Sequence, residues 1–373
     1  MTDREACIIF NMISGVGYIK YRALCDRFGS PAEALTQPEG ELLQVSGIGP
    51  QLADRIVRWQ EEVDLAGELA FAERSGVRIL TLFDDAYPDV LRHLYDPPMV
   101  LYVRGVLPEF GNNRNLAIVG TRRVSRYGAE ITRRLAEEAA SAGLGIISGL
   151  ALGVDTIAHQ AAVDLRTPTV AVLGGGLARL HPQENLELAR GIVETGGAVI
   201  SEFPMRFPVS RTSFPRRNRI VARLADAVLV TEAGVDSGAL ITAELAAEYN
   251  LVMAVPGRVD NPQAAGCHKL LKNGAVLVEN FSDIQDAMHL GLLPLDFEFS
   301  EPEAEYHVNG VSDFPAPARQ ILAVLAIRDC SFDELADATG LSAGELSSNL
   351  SMLELAMQIS RDPAQMYSLR RMS

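Results

Sequence analysis

The chain has 373 residues, 48% of them apolar, and a formal net charge of −15; that is long enough for two to three domains of roughly 100–200 residues, and the overall charge has the wrong sign for indiscriminate attraction to polyanions. No run approaches the ~18–20 apolar residues that cross a bilayer, so no membrane segment is expected, and the opening MTDREACIIF carries acids where a secretory signal has bases. Cys7, Cys25, Cys267 and Cys330 show no CxxC spacing, which argues against a zinc site or disulfide framework and predicts free thiols in a reducing cytoplasm.

In chain order, residues 1–75 read as helical and hold an internal repeat. Ser14-Gly15-Val16-Gly17 recurs as Ser46-Gly47-Ile48-Gly49, and Tyr21 and Leu24 after the first copy match Ala53 and Ile56 after the second. Two glycines around an apolar residue make a tight turn and leave backbone N–H groups free at the start of the next helix, where a DNA phosphate can sit. The pattern resembles a helix-hairpin-helix pair; a small bundle whose glycines only turn the chain fits it as well. Residues 76–112 hold two short apolar runs, Val77–Phe83 and Met99–Val103, with Tyr87-Pro88 and Pro97-Pro98 between them. They read as strands at the edge of the unit that follows.

Residues 113–280 alternate strand-like and helix-like stretches. Apolar runs fall at Leu116–Val119, Gly145–Ile147, Thr169–Leu173, Ala198–Ile200, Ala227–Val230, Leu251–Val255 and Ala275–Val278, and helical patterns at Ala129–Ala142, Asp155–Val163, Glu184–Thr195 and Ala239–Tyr249. Short runs without polar alternation suggest strands buried on both faces, and their alternation with helices suggests a parallel, doubly wound, Rossmann-like α/β sheet. Ligands of such sheets bind outside the C-terminal strand ends.

Three features collect at that end. Leu116–Val119 runs into Gly120-Thr121-Arg122, a glycine, a hydroxyl and a guanidinium, with Ser125 placed to cap the following helix. Ser148-Gly149 and Gly174-Gly175-Gly176 also follow predicted strands; whether their glycines do more than turn the chain stays open. After Ala198–Ile200 comes an arginine island: Arg206, Arg211, Arg216, Arg217, Arg219 and Arg223 without one acid between Met205 and Leu224. Guanidinium groups suit phosphate oxygens, and the interleaved Phe207 and Phe214 offer faces on which bases can stack. Polyanion binding is favoured there over a solvated loop. The motif is neither a Walker A loop nor G-x-G-x-x-G, so no nucleotide cofactor is expected.

No catalytic constellation stands out. Asp155 and His159 share a helix face, but a capping carboxylate and a core histidine are the preferred reading. Glu232 and Glu244, on either side of Ser237-Gly238, are the carboxylates that an enzyme would have to use. Residues 291–314 read as an acidic linker, within a stretch from Asn273 to Ala318 that lacks any Lys or Arg. Residues 315–373 carry a winged-helix pattern: helices at Ala318–Leu325, Phe332–Thr339 and Ala343–Leu355, then strand-like Gln358–Ser360 and Met366–Leu369. The last helix has no Lys or Arg and carries Glu345 and Glu354, which favours protein interaction over DNA reading.

Residues 76–280 resemble the DprA (Smf) family of DNA-processing proteins. The resemblance rests on Ala117–Arg122, Ser148–Asp155 with Ala158-His159, and Ala171–Gly176, and then on Ser201–Pro204, Phe214-Pro215 with Arg217-Asn218-Arg219-Ile220, Glu232-Ala233 with Ser237-Gly238, and Ala254–Gly257. It implies an N-terminal helical domain (1–75) of helix-hairpin-helix or SAM-like type, an extended Rossmann-like domain (76–290) and a winged helix (315–373). It also implies a homodimer without established catalysis that captures incoming single-stranded DNA during natural transformation, protects it and loads the RecA recombinase. The family's DNA pocket points to Arg122, Arg211 and Phe214, and its motif extends to Arg217, Asn218 and Arg219. The residues themselves add Gly120, Thr121, Ser148, Gly149 and Arg216. The rival reading is a nucleotide phosphoribohydrolase-like Rossmann enzyme. A dimer face around Cys267–Leu271 and Ile284–Leu292 is suggested by an apparent surplus of apolar residues.

Overall fold

The structure is a computed structural model that describes residues 1–290, 314–326, 328–355, 358–361 and 366–369; the acidic linker expected at 291–314 falls, but for its last residue, outside them. Residues 1–290 form one compact unit and the described residues from 314 onward a second.

The first unit is built on a nine-stranded sheet: β1 (Val77–Thr81), β2 (Val100–Gly105), β3 (Asn115–Val119), β4 (Gly145–Ser148), β5 (Thr169–Val172), β6 (Ala198–Ser201), β7 (Ala227–Val230), β8 (Leu251–Ala254) and β9 (Val276–Leu277). The spatial order is β1-β2-β6-β5-β4-β3-β7-β8-β9. From β6 to β9 all pairings are parallel. Strands β1 and β2 lie at the edge of the unit, as expected, and both pairings there are antiparallel, with β2 paired to β6. Strands β3, β5, β6 and β7 are buried at every residue, so their unbroken apolar runs serve two faces.

Alternate residues of β3 supply two cores. Leu116 and Ile118 pack with helices Arg126–Ser141 and Val154–Asp164. Ala117 and Val119 pack on the other face with helices Ser213–Leu224 and Gly238–Ala246. The sequence reading assigned no helix to the arginine island, yet Ser213–Leu224 is one. Arg217, Ile220, Val221 and Leu224 recur at three- and four-residue spacing and are all buried, and Pro215 lies in the first turn, where its missing N–H costs nothing.

Chain order reverses between β3 and β7, because β4, β5 and β6 build outward on one side and β8 and β9 on the other. This is the switch point at which doubly wound sheets open a crevice.

The N-terminal helices do not have a core of their own. Ile8, Phe10, Tyr21, Leu24, Ala53 and Ile56 share one apolar cluster with Val77, Ile79, Val100 and Tyr102 of the sheet edge, so the expected boundary at residue 75 marks a change of pattern rather than of core. Within this segment the two glycine turns are equivalent: Gly15 and Gly47 have φ of 93° and 83°, and Val16 and Ile48 donate to Ile13 and Val45. Several of the apolar residues suspected of forming a dimer face are used inside. Cys267 and Leu270 belong to the core under β7 and β8, and Ile284 and Met288 to the core beside β3.

In the second unit, helices Ala316–Leu325, Phe332–Thr339 and Ala343–Leu355 precede β10 (Ile359–Arg361) and β11 (Tyr367–Leu369), which pair antiparallel. Ile321, Leu322, Leu325, Leu335, Leu346, Leu350, Leu353 and Ile359 close a core within this unit. Ser331 and Glu334 form a capping box, and Gly340 ends that helix in the left-handed conformation. This is the expected winged helix. Among the described residues, no helix is long and apolar enough to cross a membrane and no group of His, Cys, Asp and Glu could hold a metal ion.

Candidate nucleic-acid interface

At the switch point lies an open cleft of about 530 Å³ lined by Gly120, Thr121, Arg122 and Arg123 after β3, Gly149, Ala151 and Asp155 after β4, Phe214, Arg217 and Asn218, and the turn from Gly234 to Ala239 after β7. The N-termini of helices Val154–Asp164, Ser213–Leu224 and Gly238–Ala246 all open toward it, and their dipoles favour an anion there.

Each wall has a local cause. Thr121 donates its N–H to the Glu232 carbonyl at 2.7 Å and accepts the N–H of Val154 at 3.2 Å, so the loop after β3 is held to its neighbours on both sides. Ser125 caps helix Arg126–Ser141 by accepting from Gly128 at 3.0 Å. Its own N–H and hydroxyl donate to the Glu232 carboxylate, both at 2.7 Å, and Asn261 adds a third bond. Glu232 is therefore buried and fully engaged, whereas Glu244 is exposed and pairs with Lys269 at 3.6 Å. Glu232 thus serves a structural junction, and Glu244 makes a surface ion pair.

The floor holds a buried charge pair. The Asp155 carboxylate accepts N–H groups of Gly149 at 3.1 Å and Ala151 at 3.3 Å. Burial raises its pKa, opposed chiefly by the Arg217 guanidinium. Arg217 donates to the carbonyls of Gly149 and Val172 and to the Asn218 side chain at 3.1 Å, so it ties the C-terminal ends of β4 and β5 to the arginine helix. Gly149 is required at this closest approach, because a Cβ would collide with the Arg217 guanidinium. His159 lies beneath, its Nδ1 2.8 Å from Thr169 Oγ1. That hydroxyl donates to Ile146 O, which leaves it to accept from Nδ1–H. Burial and the nearby Arg217 charge push the His159 pKa down to about 3. His159 is the expected core histidine, whereas Asp155 does not cap its helix, whose N-cap is Gly153 without a side-chain bond; its carboxylate holds the loop after β4 instead, and neither group is an exposed acid or base.

The mouth differs. Arg122 is exposed and stacks over the Phe214 ring with its guanidinium carbon 4.8 Å from the centroid, presenting a cation and an aromatic face together. Arg123 and Arg211 are exposed as well, and among the described residues neither makes an ion pair.

Of the residues named from sequence, Gly120, Thr121, Arg122, Gly149, Phe214, Arg217 and Asn218 line one cleft. Arg211 lies just before the arginine helix, outside the lining. Three more are placed differently from the expectation. Ser148 is fully buried and its hydroxyl donates to Ile118 O at 2.6 Å. Arg216 and Arg219 both reach buried Glu202, at 3.2 Å and 2.8 Å, because their helical phase turns them away from the cleft; Arg216 also stacks over Phe203. Sequence reasoning missed Arg123 and the Gly234–Ala239 turn as cleft walls. The signal for the turn was its place after β7, the mirror of Gly120–Arg122 after β3.

A doubly wound α/β unit with a cation-fronted, glycine-floored cleft at its switch point, together with paired glycine hairpins and a winged helix, defines the class. Three family models match in register with these parts: "DNA recombination-mediator protein A" over residues 78–289, "DprA winged helix domain" over 312–365 and "SAM-like Helix-hairpin-helix tandem" over 10–58. Protein Smf of Escherichia coli is 35% identical over 331 residues, covering 88% of this chain and 87% of its own. DNA processing protein DprA of Bacillus subtilis is 36% identical over 217 residues, 58% and 73% of the two chains. The crystal structure of DNA processing protein A from Streptococcus pneumoniae superposes with a TM-score of 0.64 at 30% identity, over 77% of this chain and 98% of that one. The Helicobacter pylori protein, whose structure concerns its single-stranded DNA binding mode, gives 0.50 at 31% identity over 58% and 98%. The chain belongs to the DprA (Smf) family of DNA-processing proteins.

Proposed function

We propose that the chain binds single-stranded DNA in the cleft between β3 and β7 and acts, as a cytoplasmic homodimer, as the mediator that shields such DNA and passes it to the RecA recombinase during transformation. The observation that carries this reading is the Arg122–Phe214 pair at the mouth, 4.8 Å apart. It offers a phosphate partner and a stacking face at one point, the combination that suits an unpaired strand better than a duplex whose bases are hidden. Arg123 lines the same cleft, Arg211 is exposed just before the arginine helix, neither makes an ion pair among the described residues, and the helix N-termini behind the cleft favour negative charge. The single-stranded DNA binding of the Helicobacter pylori relative agrees. The enzyme reading has less support, because Glu232 is buried and already accepts three hydrogen bonds.

The test is oligo-dT and duplex binding across several salt concentrations, with and without RecA. Arg122→Ala and Arg211→Ala are each expected to weaken oligo-dT binding roughly 5- to 100-fold and to reduce the salt slope by about 0.7 per lost phosphate contact. Unchanged affinity and slope in both variants would remove the assignment, and release of free base from a nucleoside monophosphate would revive the enzyme.

A further inference from the structure

We infer that DNA leaving the cleft runs over a second basic surface, built from Arg179, Arg206, Phe71 and Arg74, that carries the strand from the sheet edge onto the N-terminal helices. This rests on the proposed binding of single-stranded DNA in the cleft and extends it.

The surface is one bonded platform. Helix Leu65–Arg74 reaches the sheet through Glu68, whose buried carboxylate accepts the N–H of Met205 at 2.7 Å. Met205 O accepts from Ala178, and Phe207 O from Gly176, both at 2.9 Å, so the turn Leu177–Arg179 is fixed to the same segment. Next to Met205, the Arg206 guanidinium carbon lies 4.6 Å from the Phe71 ring centre, and that of Arg74 lies 4.9 Å from the same ring. Two cations thus converge on one half-buried ring. Arg74, Arg179 and Arg206 are exposed, and among the described residues none of them makes an ion pair. In a chain of net charge −15, where Arg216 and Arg219 share Glu202 and Arg219 also meets Asp96, arginines gathered on an aromatic ring without an ion pair among the described residues are a feature to be explained. Of the two acids on this helix, Glu68 turns inward and Glu73 alone is exposed.

Continuity with the cleft follows from the glycine turn after β5. Phe214 packs against Gly174, Val209 against Gly175 and the Met205 carbonyl against Gly176. The path from Arg122 through Phe214 to Arg206 and Phe71 therefore follows one turn of backbone. A cleft of about 530 Å³ takes a small part of a strand, whereas single-strand binding surfaces cover roughly 4–16 nucleotides by alternating cations with aromatic faces. The alternation Arg122–Phe214, then Arg206–Phe71–Arg74, has that character.

The experiment compares the full chain with an Arg74→Gln/Arg206→Gln double variant on oligo-dT of about 4 and about 16 nucleotides, by anisotropy across salt. The double variant is expected to bind the short oligonucleotide as the parent does. On the long one it is expected to bind on the order of tenfold more weakly at low salt, with a slope smaller by about 1.4, because each phosphate contact on a single strand contributes about 0.7. Phe71→Leu, which keeps the apolar packing and removes the ring, is expected to show the same dependence on length. Unchanged binding of the long oligonucleotide, or equal loss on both lengths, overturns the proposal. Arg122→Ala separates this from failure of the cleft itself: it weakens both lengths if the cleft binds DNA, and if it weakens neither, the cleft reading falls and this surface with it.

Discussion

Arg217 illustrates how a charge can serve a cleft without facing the ligand. In the sequence it is one of six arginines in the island and sits in the Phe-Pro motif, so its importance is legible; its direction is not, because direction depends on the phase of a helix that the charge density conceals. Arg217 turns inward to two carbonyls, Arg216 and Arg219 turn to Glu202, and Arg122 remains at the mouth, with Arg211 exposed just before the helix. His159 beneath the Asp155–Arg217 pair provides a test of this packing. Its pKa of about 3 in the folded chain lies below the ordinary 6.5 that it regains on unfolding. Between these values the unfolded state binds the extra proton, so the contribution of His159 to stability is complete above pH 6.5 and is lost as pH falls toward 3, by about 1.4 kcal/mol per pH unit. Asp155, with its pKa raised, acts in the opposite sense, but it is common to parent and variant. Urea unfolding of the parent and His159→Gln at pH 6.5 and 5 should therefore show the parent losing about 2 kcal/mol more than the variant. Equal losses would mean that the imidazole is not held neutral in the core.

At the scale of elements, strands were the more legible part. Seven of the nine were bounded within a residue or so by their apolar runs, because a strand buried on both faces has no polar positions to interrupt it. A helix that escaped notice is Ser213–Leu224, whose buried face includes Arg217, so that hydrophobicity alone does not reveal its period. The junction of β7 with helix Arg126–Ser141 was likewise invisible, since it depends on Glu232 meeting Ser125 across 107 residues. Gly128 lies where that carboxylate passes over the helix, and a Cβ there would overlap the Glu232 carboxylate, whereas at Gly238 a Cβ meets nothing within 4 Å. Gly128→Ala is expected to cost about 1–3 kcal/mol, by displacing a buried, hydrogen-bonded carboxylate. Gly238→Ala, at the start of its helix, should be neutral or slightly stabilising. Midpoints of urea unfolding decide this, and a Gly128→Ala protein as stable as the parent would show that Glu232 is not locked in place.

For the whole molecule, the division of charge matters more than its sum. The −15 average suggested poor affinity for polyanions, yet nine of the 48 Asp and Glu lie between 273 and 318 with no Lys or Arg among them, while arginines that make no ion pair among the described residues collect after the C-terminal ends of β3, β5 and β6. The second unit is a different kind of surface: its core is closed within itself, and helix Ala343–Leu355 presents Glu345 and Glu354 with no Lys or Arg. A helix without basic donors has little with which to hold phosphates or read base edges. The cleft and the surface around Phe71 both lie within residues 1–290, whose apolar clusters include none of the second unit. Residues 1–290 alone are therefore expected to fold with the same cooperative transition and to bind oligo-dT within about twofold of the full chain, with an unchanged salt slope, since no phosphate partner is removed. A loss of tenfold or a shallower slope would place DNA contacts on the winged helix. If affinity holds while a response to RecA disappears, the acidic helix is assigned to protein contact, the role that its composition favours.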